Sequence, residues 1–404
     1  MGGSANRAMA QENPHIREES RQAATPAAPP GNKSSASDTV TKVTTEVSSY
    51  ADTDHVYVFT PAAAASINSP TTGWNASGSY LIDIVSAASV DIVSTASRHW
   101  VETRHAASLS GGFKPGTVGT TLSGSVSREP DYLSLSGGGA IALELKDKTV
   151  NPTFGYTYTH DTAGRKTTPF SVFSQELVRH TAQAALELIL DPETLVSLSV
   201  DAIFEVGNQT KPYRLLPMFA PDVAAGVPKG ASINLVNRER LPGRVAEQLP
   251  LTRNRVAGTA RIAQRLAGST FVVSERLYAD DWGVKASTTD LRFVIDASRR
   301  VFLWTHLRGH IQSGVSFWHR AYTATFNGDG SMTLPKWRTG DREESSLAGG
   351  TIGLGMRWNI GSAGHPEGLS FVAQADMITT VFNDVLFIQN REGYLGVLQL
   401  EAEF

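Results

Sequence analysis

Tyr394-Leu-Gly-Val-Leu-Gln-Leu-Glu-Ala-Glu-Phe404 closes the chain, and its reading decides the fold. Taken with a period of two, one face carries Tyr394, Gly396, Leu398, Leu400, Ala402 and Phe404, and the other carries Leu395, Val397, Gln399, Glu401 and Glu403. A strand sends alternate side chains to opposite sides of its sheet, so this one is apolar on one side and acidic on the other. The edge strand of a soluble sandwich alternates in the same way. Separating the two requires the rest of the chain.

From about Asp54 onward the same alternation recurs. Trp74, Ala76, Gly78, Tyr80, Ile82 and Ile84 oppose Asn75, Ser77, Ser79 and Asp83. Val196, Leu198, Val200, Ala202, Phe204 and Val206 oppose Ser197, Ser199, Asp201 and Glu205, and Ile352, Leu354, Met356, Trp358 and Ile360 oppose Thr351, Arg357 and Asn359. Several of these faces run to about ten residues, the length that crosses a bilayer at a tilt, whereas soluble strands average about five or six. Length therefore favours the membrane. No run reaches the roughly 18 apolar residues of a membrane helix. The mild mean hydropathy suits a barrel whose every second residue faces a polar interior. A net charge of −3 leaves no nucleic-acid footprint, and the lack of cysteine excludes disulfides and thiolate metal sites.

Turn signals punctuate the alternation. Lys114-Pro-Gly-Thr117, Asp191-Pro-Glu-Thr194, Leu266-Ala-Gly-Ser269 and Asp296-Ala-Ser-Arg-Arg300 are short hairpin links, and 207–252, 319–346 and 381–390 are longer connections. Short links on the periplasmic side and long loops outside are the barrel arrangement. A direct count gives about fifteen strands, with 85–104 the region that lacks a clean period. Even-numbered closure and chain length give about sixteen (14–18). Residues 1–50, rich in Ala, Ser, Thr, Pro and Gln, read as a disordered periplasmic tail with Ala8-Met9-Ala10 as a possible signal-peptidase site. The barrel is expected over 51–404.

The matching stretches Tyr80-Leu-Ile-Asp-Ile-Val-Ser-Ala-Ala-Ser89, Asp91-Ile-Val-Ser-Thr-Ala-Ser97, Glu102-Thr-Arg104, Ser127-Arg-Glu-Pro-Asp-Tyr132, Pro212-Tyr-Arg214, Glu239-Arg-Leu-Pro242 and Tyr278-Ala-Asp-Asp-Trp-Gly283 carry a resemblance. The chain resembles an uncharacterised domain-of-unknown-function family of Gram-negative outer-membrane β-barrels. Tyr394, Gly396, Leu398, Leu400 and Phe404 resemble the C-terminal strand by which such barrels are recognised for assembly. The resemblance implies an all-β, antiparallel up-and-down transmembrane barrel in the bacterial outer membrane. Its surroundings would be outer-membrane lipid and lipopolysaccharide and the barrel-assembly machinery. It supplies no activity.

The longest polar ladder is Trp304, His306, Arg308, His310 and Gln312, opposed by Leu303, Thr305, Leu307, Gly309 and Ile311. With the aliphatic face in lipid, His306, Arg308 and His310 project into the lumen. Arg179, Arg261, Arg276, Arg292 and Arg357 and the acids Asp201 and Glu205 join them from other inner faces. The functional reading is a charged constriction, and the bland one is a mutually paired lumen lining. His306 and His310 sit about 13 Å apart at ~3.3 Å per residue, so they share no metal; no cofactor is expected either. Trp74, Tyr80, Trp100, Trp282, Trp318, Trp337 and Trp358 are candidates for the interfacial girdles or for loops. A hydrolase would need His180 with Ser174, or His319 with Ser316, and no Gly-x-Ser-x-Gly or His-Glu-x-x-His stretch accompanies them. Loop 207–252, counted with its flanking arginines, is basic through Lys211, Arg214, Lys229, Arg238, Arg240, Arg244, Arg253 and Arg255; it reads as a solvated loop, with folding into the lumen as a constriction or covering the outer mouth as the alternatives. The expected function is a pore or translocation channel for a polar solute or polymer. The alternatives are the barrel of a polysaccharide export machine docking a periplasmic partner, and an outer-membrane hydrolase.

If Phe404 ends a closing strand, its deletion leaves an edge in lipid and weakens assembly. The fraction of heat-modifiable barrel in the outer membrane should fall; unchanged assembly would contradict the reading of the last strand.

Overall fold

The computed structural model describes residues 39–87, 100–360, 368–387 and 389–404. Sixteen strands form one closed barrel. In chain order they are β1 (Val40–Asp52), β2 (Tyr57–Asn68), β3 (Trp74–Ala87), β4 (Trp100–Phe113), β5 (Val118–Glu129), β6 (Tyr132–Leu143), β7 (Val150–Ala163) and β8 (Gln175–Asp191). Then follow β9 (Thr194–Gly207), β10 (Thr252–Leu266), β11 (Ser269–Asp280), β12 (Lys285–Asp296), β13 (Val301–Gln312), β14 (Leu347–Asn359), β15 (Leu369–Phe382) and β16 (Asn390–Glu403). Each strand pairs antiparallel with its sequence neighbours, and β1 closes on β16. Closure uses the end of the chain: Thr41 N–H donates to the Phe404 carbonyl at 3.1 Å, and Phe404 N–H donates to the Thr41 carbonyl at 2.8 Å.

Two sequence expectations shift. The barrel begins at Val40, so residues 40–50, assigned to the tail, are wall. Thr41, Val43, Thr45 and Val47 alternate there as in any other strand, but their small, hydroxyl-rich composition resembles the segment before it. The Ala8–Ala10 site lies outside the described residues. The missing strand of the direct count is resolved by β3 and β4, which flank the region without a clean period; 88–99 also lies outside the described residues.

The alternation maps onto the wall as lipid chemistry requires. Leu109 and Leu122 (each 73% exposed), Leu354 (66%) and Leu277 (60%) stand on the outer face. Asp83, Asp201, Glu205, Arg292, His306 and Asp376 are buried on the inner one. Trp74, Phe113, Phe271, Trp358 and Phe404 mark the outer face at the end that holds the short turns. Trp282, Trp318 and Trp337 belong to connections instead. At the Asp191–Thr194 turn the Asp191 carboxylate accepts from Glu193 N–H at 2.8 Å and from the Thr194 hydroxyl at 2.8 Å, which explains the tight reversal. The long connections 208–251 and 313–346 lie at the other end.

Near the middle of the wall an outward acid breaks the rule. Glu275, seventh of the twelve residues of β11, stands between Val273 and Leu277 on the lipid side. The Ser287 hydroxyl donates to its carboxylate at 2.6 Å and the Thr289 hydroxyl at 2.5 Å. These two bonds offset part of the cost of a polar group facing hydrocarbon.

Leu354→Arg should lower stability in a bilayer unfolding assay by about 2–4 kcal/mol, the cost of a cation at mid-wall. Glu275→Leu should raise it. Equal tolerance of Leu354→Arg and wild type would overturn the assignment of faces.

Candidate functional site in the barrel lumen

Register builds the central cluster. His306 on β13 stands opposite Arg292 on β12 and Gly353 on β14, and Gly353 stands opposite Asp376 on β15. His306 Nδ1 lies 2.9 Å from Asp376 Oδ1, and Nε2 lies 2.9 Å from Asp290 Oδ2. A ring that donates from both nitrogens satisfies this arrangement. Reaching Asp376 means passing over β14, and only glycine permits it. A Cβ at Gly353 would lie 1.8 Å from Asp376 Oδ1. Gly355 does the same for the next rung, where a Cβ would lie 2.0 Å from the Trp304 ring. Gln374 Nε2 donates to Asp376 Oδ2 at 2.6 Å. The Trp304 indole is buried, and its N–H has no acceptor among the described residues.

Elsewhere the inner wall is laced with ion pairs between strands. Arg179 binds Glu205 at 2.7 Å and Asp161 at 3.6 Å, while Arg255 reaches the same Glu205 at 2.6 Å. Arg276 meets Asp201 at 3.3 Å, and Gln183 donates to Asp201 at 3.0 Å. Lys42 and Arg357 each bind Glu401 at 2.8 Å. Arg104 donates to Asp83 at 2.7 Å.

The predicted lumen residues thus face inward but divide into separate groups. His306 and Arg292 share the central cluster with Arg308 beside them, whereas Arg179, Asp201 and Glu205 belong to the β7–β11 side. Arg357 lies lower, next to Glu401. Arg261 is on the inner face of β10 with no ion pair among the described residues. His310 is held by the Thr288 hydroxyl at 2.8 Å, away from the partners of His306. Sequence reasoning did not single out Gly353 and Gly355, whose signal is two glycines on the polar face of a strand. It also passed over Glu102, Glu129 and Asp131, whose carboxylate oxygens gather within 4.8 Å of one another at the outer rim.

The reading of 207–252 as a solvated loop is corrected. Leu216, Met218, Tyr322 and Ala324 form one buried cluster, and Phe219, Val227, Ala231 and Val236 form another. Met218–Phe219 pairs in parallel with Tyr322–Thr323, so the loop folds together with 313–346. Helix α1 (Ile233–Glu239) is capped by Ser232, whose hydroxyl accepts from Leu235 N–H at 3.2 Å. Arg253 and Arg255 are strand residues of β10 that point inward. Arg214 is buried between Glu247, at 3.2 Å, and Asp341, at 2.5 Å. Burial works against its charge, but the two carboxylates outweigh it and raise its hold on the proton above that of an ordinary arginine.

This cap is tied to the inner wall from several directions. Glu344 binds Arg253 of β10 at 2.7 Å, and Glu343 binds Arg391 of β16 at 2.8 Å. Arg342 pairs with Asp54 in the β1–β2 turn. Gln312, at the top of β13, donates to the carbonyls of Glu343 at 2.6 Å and Ser345 at 3.0 Å. Segment 342–345 therefore spans the mouth from β10 to β1.

Neither histidine–serine pair comes together. His180 faces outward against Tyr156, and the His319 ring packs edge-on to Tyr322 at 5.5 Å. Neither makes a hydrogen bond to its serine among the described residues.

A family model described as "Protein of unknown function (DUF3570)" matches residues 99–370. No curated protein matches the chain. Among solved structures, Pseudomonas aeruginosa OccK5 (OpdH) is similar at 9% identity and a TM-score of 0.40, covering 91% of this chain and 98% of that one. Pseudomonas aeruginosa OccK7 (OpdD) is similar at 9% identity and a TM-score of 0.42, with the same coverage. The ferric enterobactin receptor PfeA of that organism is similar at 10% identity and a TM-score of 0.41, covering 87% of this chain and 54% of that one.

Gly353→Ala should displace Asp376 and cost about 1–3 kcal/mol of stability, as overpacking does. Gly309→Ala, whose Cβ meets nothing within 4 Å, should be near neutral in the same unfolding assay. Equal effects would contradict the role assigned to Gly353.

Proposed function

Because the chain belongs to the DUF3570 family of proteins of unknown function, we propose from its own geometry that it is an outer-membrane channel for a polar solute. The observation that carries the reading is the inner wall, polar along its length and bearing both charges at the His306–Asp290–Asp376 cluster. A barrel of about sixteen strands is wide enough for an aqueous path. Paired charges along that path offer hydrogen bonds to a hydrophilic solute and repel an apolar one. Arg308, Arg292 and the unmatched Trp304 N–H surround the cluster and supply donors to an oxygen-rich solute. The short turns, the start of β1 and Phe404 then lie on the periplasmic side.

The cap supports gated passage. It is anchored across the outer mouth through Arg342, Glu343 and Glu344, so entry requires those contacts to give way. Among the described residues no constellation favours the hydrolase alternative, and no feature of the short turns favours a docked export partner.

Conductance in planar bilayers tests the proposal. The intact protein should open rarely. A variant with 314–345 replaced by a short Gly/Ser turn, still heat-modifiable, should conduct in larger and longer steps. His306→Gln in that background should change the ratio of cation to anion permeability. A folded barrel that stays silent with and without 314–345 would overturn the channel reading.

A further inference from the structure

The outer wall carries an asymmetric set of basic side chains. On the outward faces of β4–β8 stand His105, Arg128, His160 and His180, with Glu176 near the rim as the accompanying acid. On the outward faces of the other strands, among the described residues, the ionisable groups other than tyrosines are Glu275, Lys285 and Glu392. Basic groups on a lipid-facing wall are costly unless they meet polar headgroups. Their concentration on one arc therefore calls for an anionic counterpart there.

The positions share one depth. His105 is the sixth residue of β4 from its outer end and His180 the sixth of β8. Cross-strand partners lead from His105 to Arg128, Leu133, Thr162 and Glu176 in turn. Strands in a closed barrel tilt by roughly 35–45°, so this ladder climbs about one residue per strand. Four strands of climb bring the level of His105 to His180, four residues below Glu176. Both histidines thus lie in the outer half of the wall, toward the outer leaflet's headgroups.

Each histidine is also aimed. The Tyr80 hydroxyl lies 2.7 Å from His105 Nδ1, and the Tyr156 hydroxyl lies 2.6 Å from His180 Nδ1. Tyr158 packs edge-on to the His180 ring at 5.4 Å. When the tyrosine donates, the proton of the neutral ring sits on Nε2, which faces away from the tyrosine as a donor. Arg128, directly opposite His105 and exposed, adds a guanidinium whose forked donors match phosphate oxygens. The same tyrosine-under-histidine unit, built twice four strands apart, spaces two donor sets along the arc.

We infer that the outward face of β4–β8 is a binding site for a phosphorylated glycolipid of the outer leaflet. His105 with Arg128 would hold one phosphate, and His180 with His160 would hold the other. The acyl chains would lie on the apolar wall below, along Leu109, Leu122, Ile141 and Phe154. The inference rests on the reading of this chain as an outer-membrane barrel, and the experiment tests the two separately.

The full chain, refolded in detergent, would be titrated with lipid A bearing both phosphates, with its dephosphorylated form and with inorganic phosphate, and bound lipid counted by native mass spectrometry. Bisphosphorylated lipid should be retained, the dephosphorylated form should bind at least about tenfold more weakly, and inorganic phosphate should not displace it, since each charge-assisted contact is worth about a factor of ten or more. The variant Arg128→Gln with His105→Gln and His180→Gln should lose that preference while staying heat-modifiable. Glu275→Gln, on the wall outside this arc, should keep it. Equal retention of the two lipids, or an unchanged preference in the triple variant, would overturn the inference. A wild-type chain that fails to become heat-modifiable would instead count against the barrel reading.

Discussion

In hydrocarbon, a backbone N–H or C=O without a partner costs several kcal/mol, and the whole structure follows from avoiding that cost. An open sheet would leave two unpaired edges, so sixteen strands close and the last must find the first. The reciprocal bonds between Thr41 and Phe404 complete that seam. Lys42 reinforces it from inside by binding Glu401, so the closing pair is held by main chain and by charge.

Closure then dictates the division of side chains. With hydrocarbon outside, the apolar half of each alternation faces out, and the charges of the wall are driven inward or toward a headgroup, with Glu275 held outside by its two hydroxyl donors. Inside, charges crowd at strand spacing and find partners across one strand or two. The glycines of β14 are part of this economy of space. Gly353 and Gly355 leave room for Asp376 and Trp304 to lie over the β14 backbone, which lets β13 and β15 interact across it. A cluster that looks like three separate residues in the chain is therefore one unit built on four neighbouring strands.

The cap obeys different physics. It is water-facing at one side and has cores of its own, held by buried arginines that each meet two carboxylates or a carboxylate and a ring. Arg253 lies between Asp280 and Glu344 and over the Trp282 ring at 4.2 Å; Arg342 meets Asp54 and lies 4.9 Å from the Phe382 ring. Such networks are costly to break singly, because a removed partner strands a buried charge. They give the mouth a closed arrangement that can be left only by separating several pairs together.

The period of two, the length of the apolar faces and the aromatic terminus determined the barrel, its near count of strands and which side of each strand meets lipid. These are local properties, since alternation is written residue by residue. For the same reason His306, Arg308 and Arg357 could be placed inside from the chain alone. Which inner charges meet could not, because partners such as His306 and Asp376 are set by register across an intervening strand. A loop over the mouth was one of the alternatives for 207–252, but its packing was illegible for a related reason: its clusters join 207–252 to 313–346, and neither segment has a periodicity that announces the other. The outward arc of His105, Arg128, His160 and His180 is likewise invisible in the linear order and becomes one surface only when tilt and closure bring four strands to a common depth.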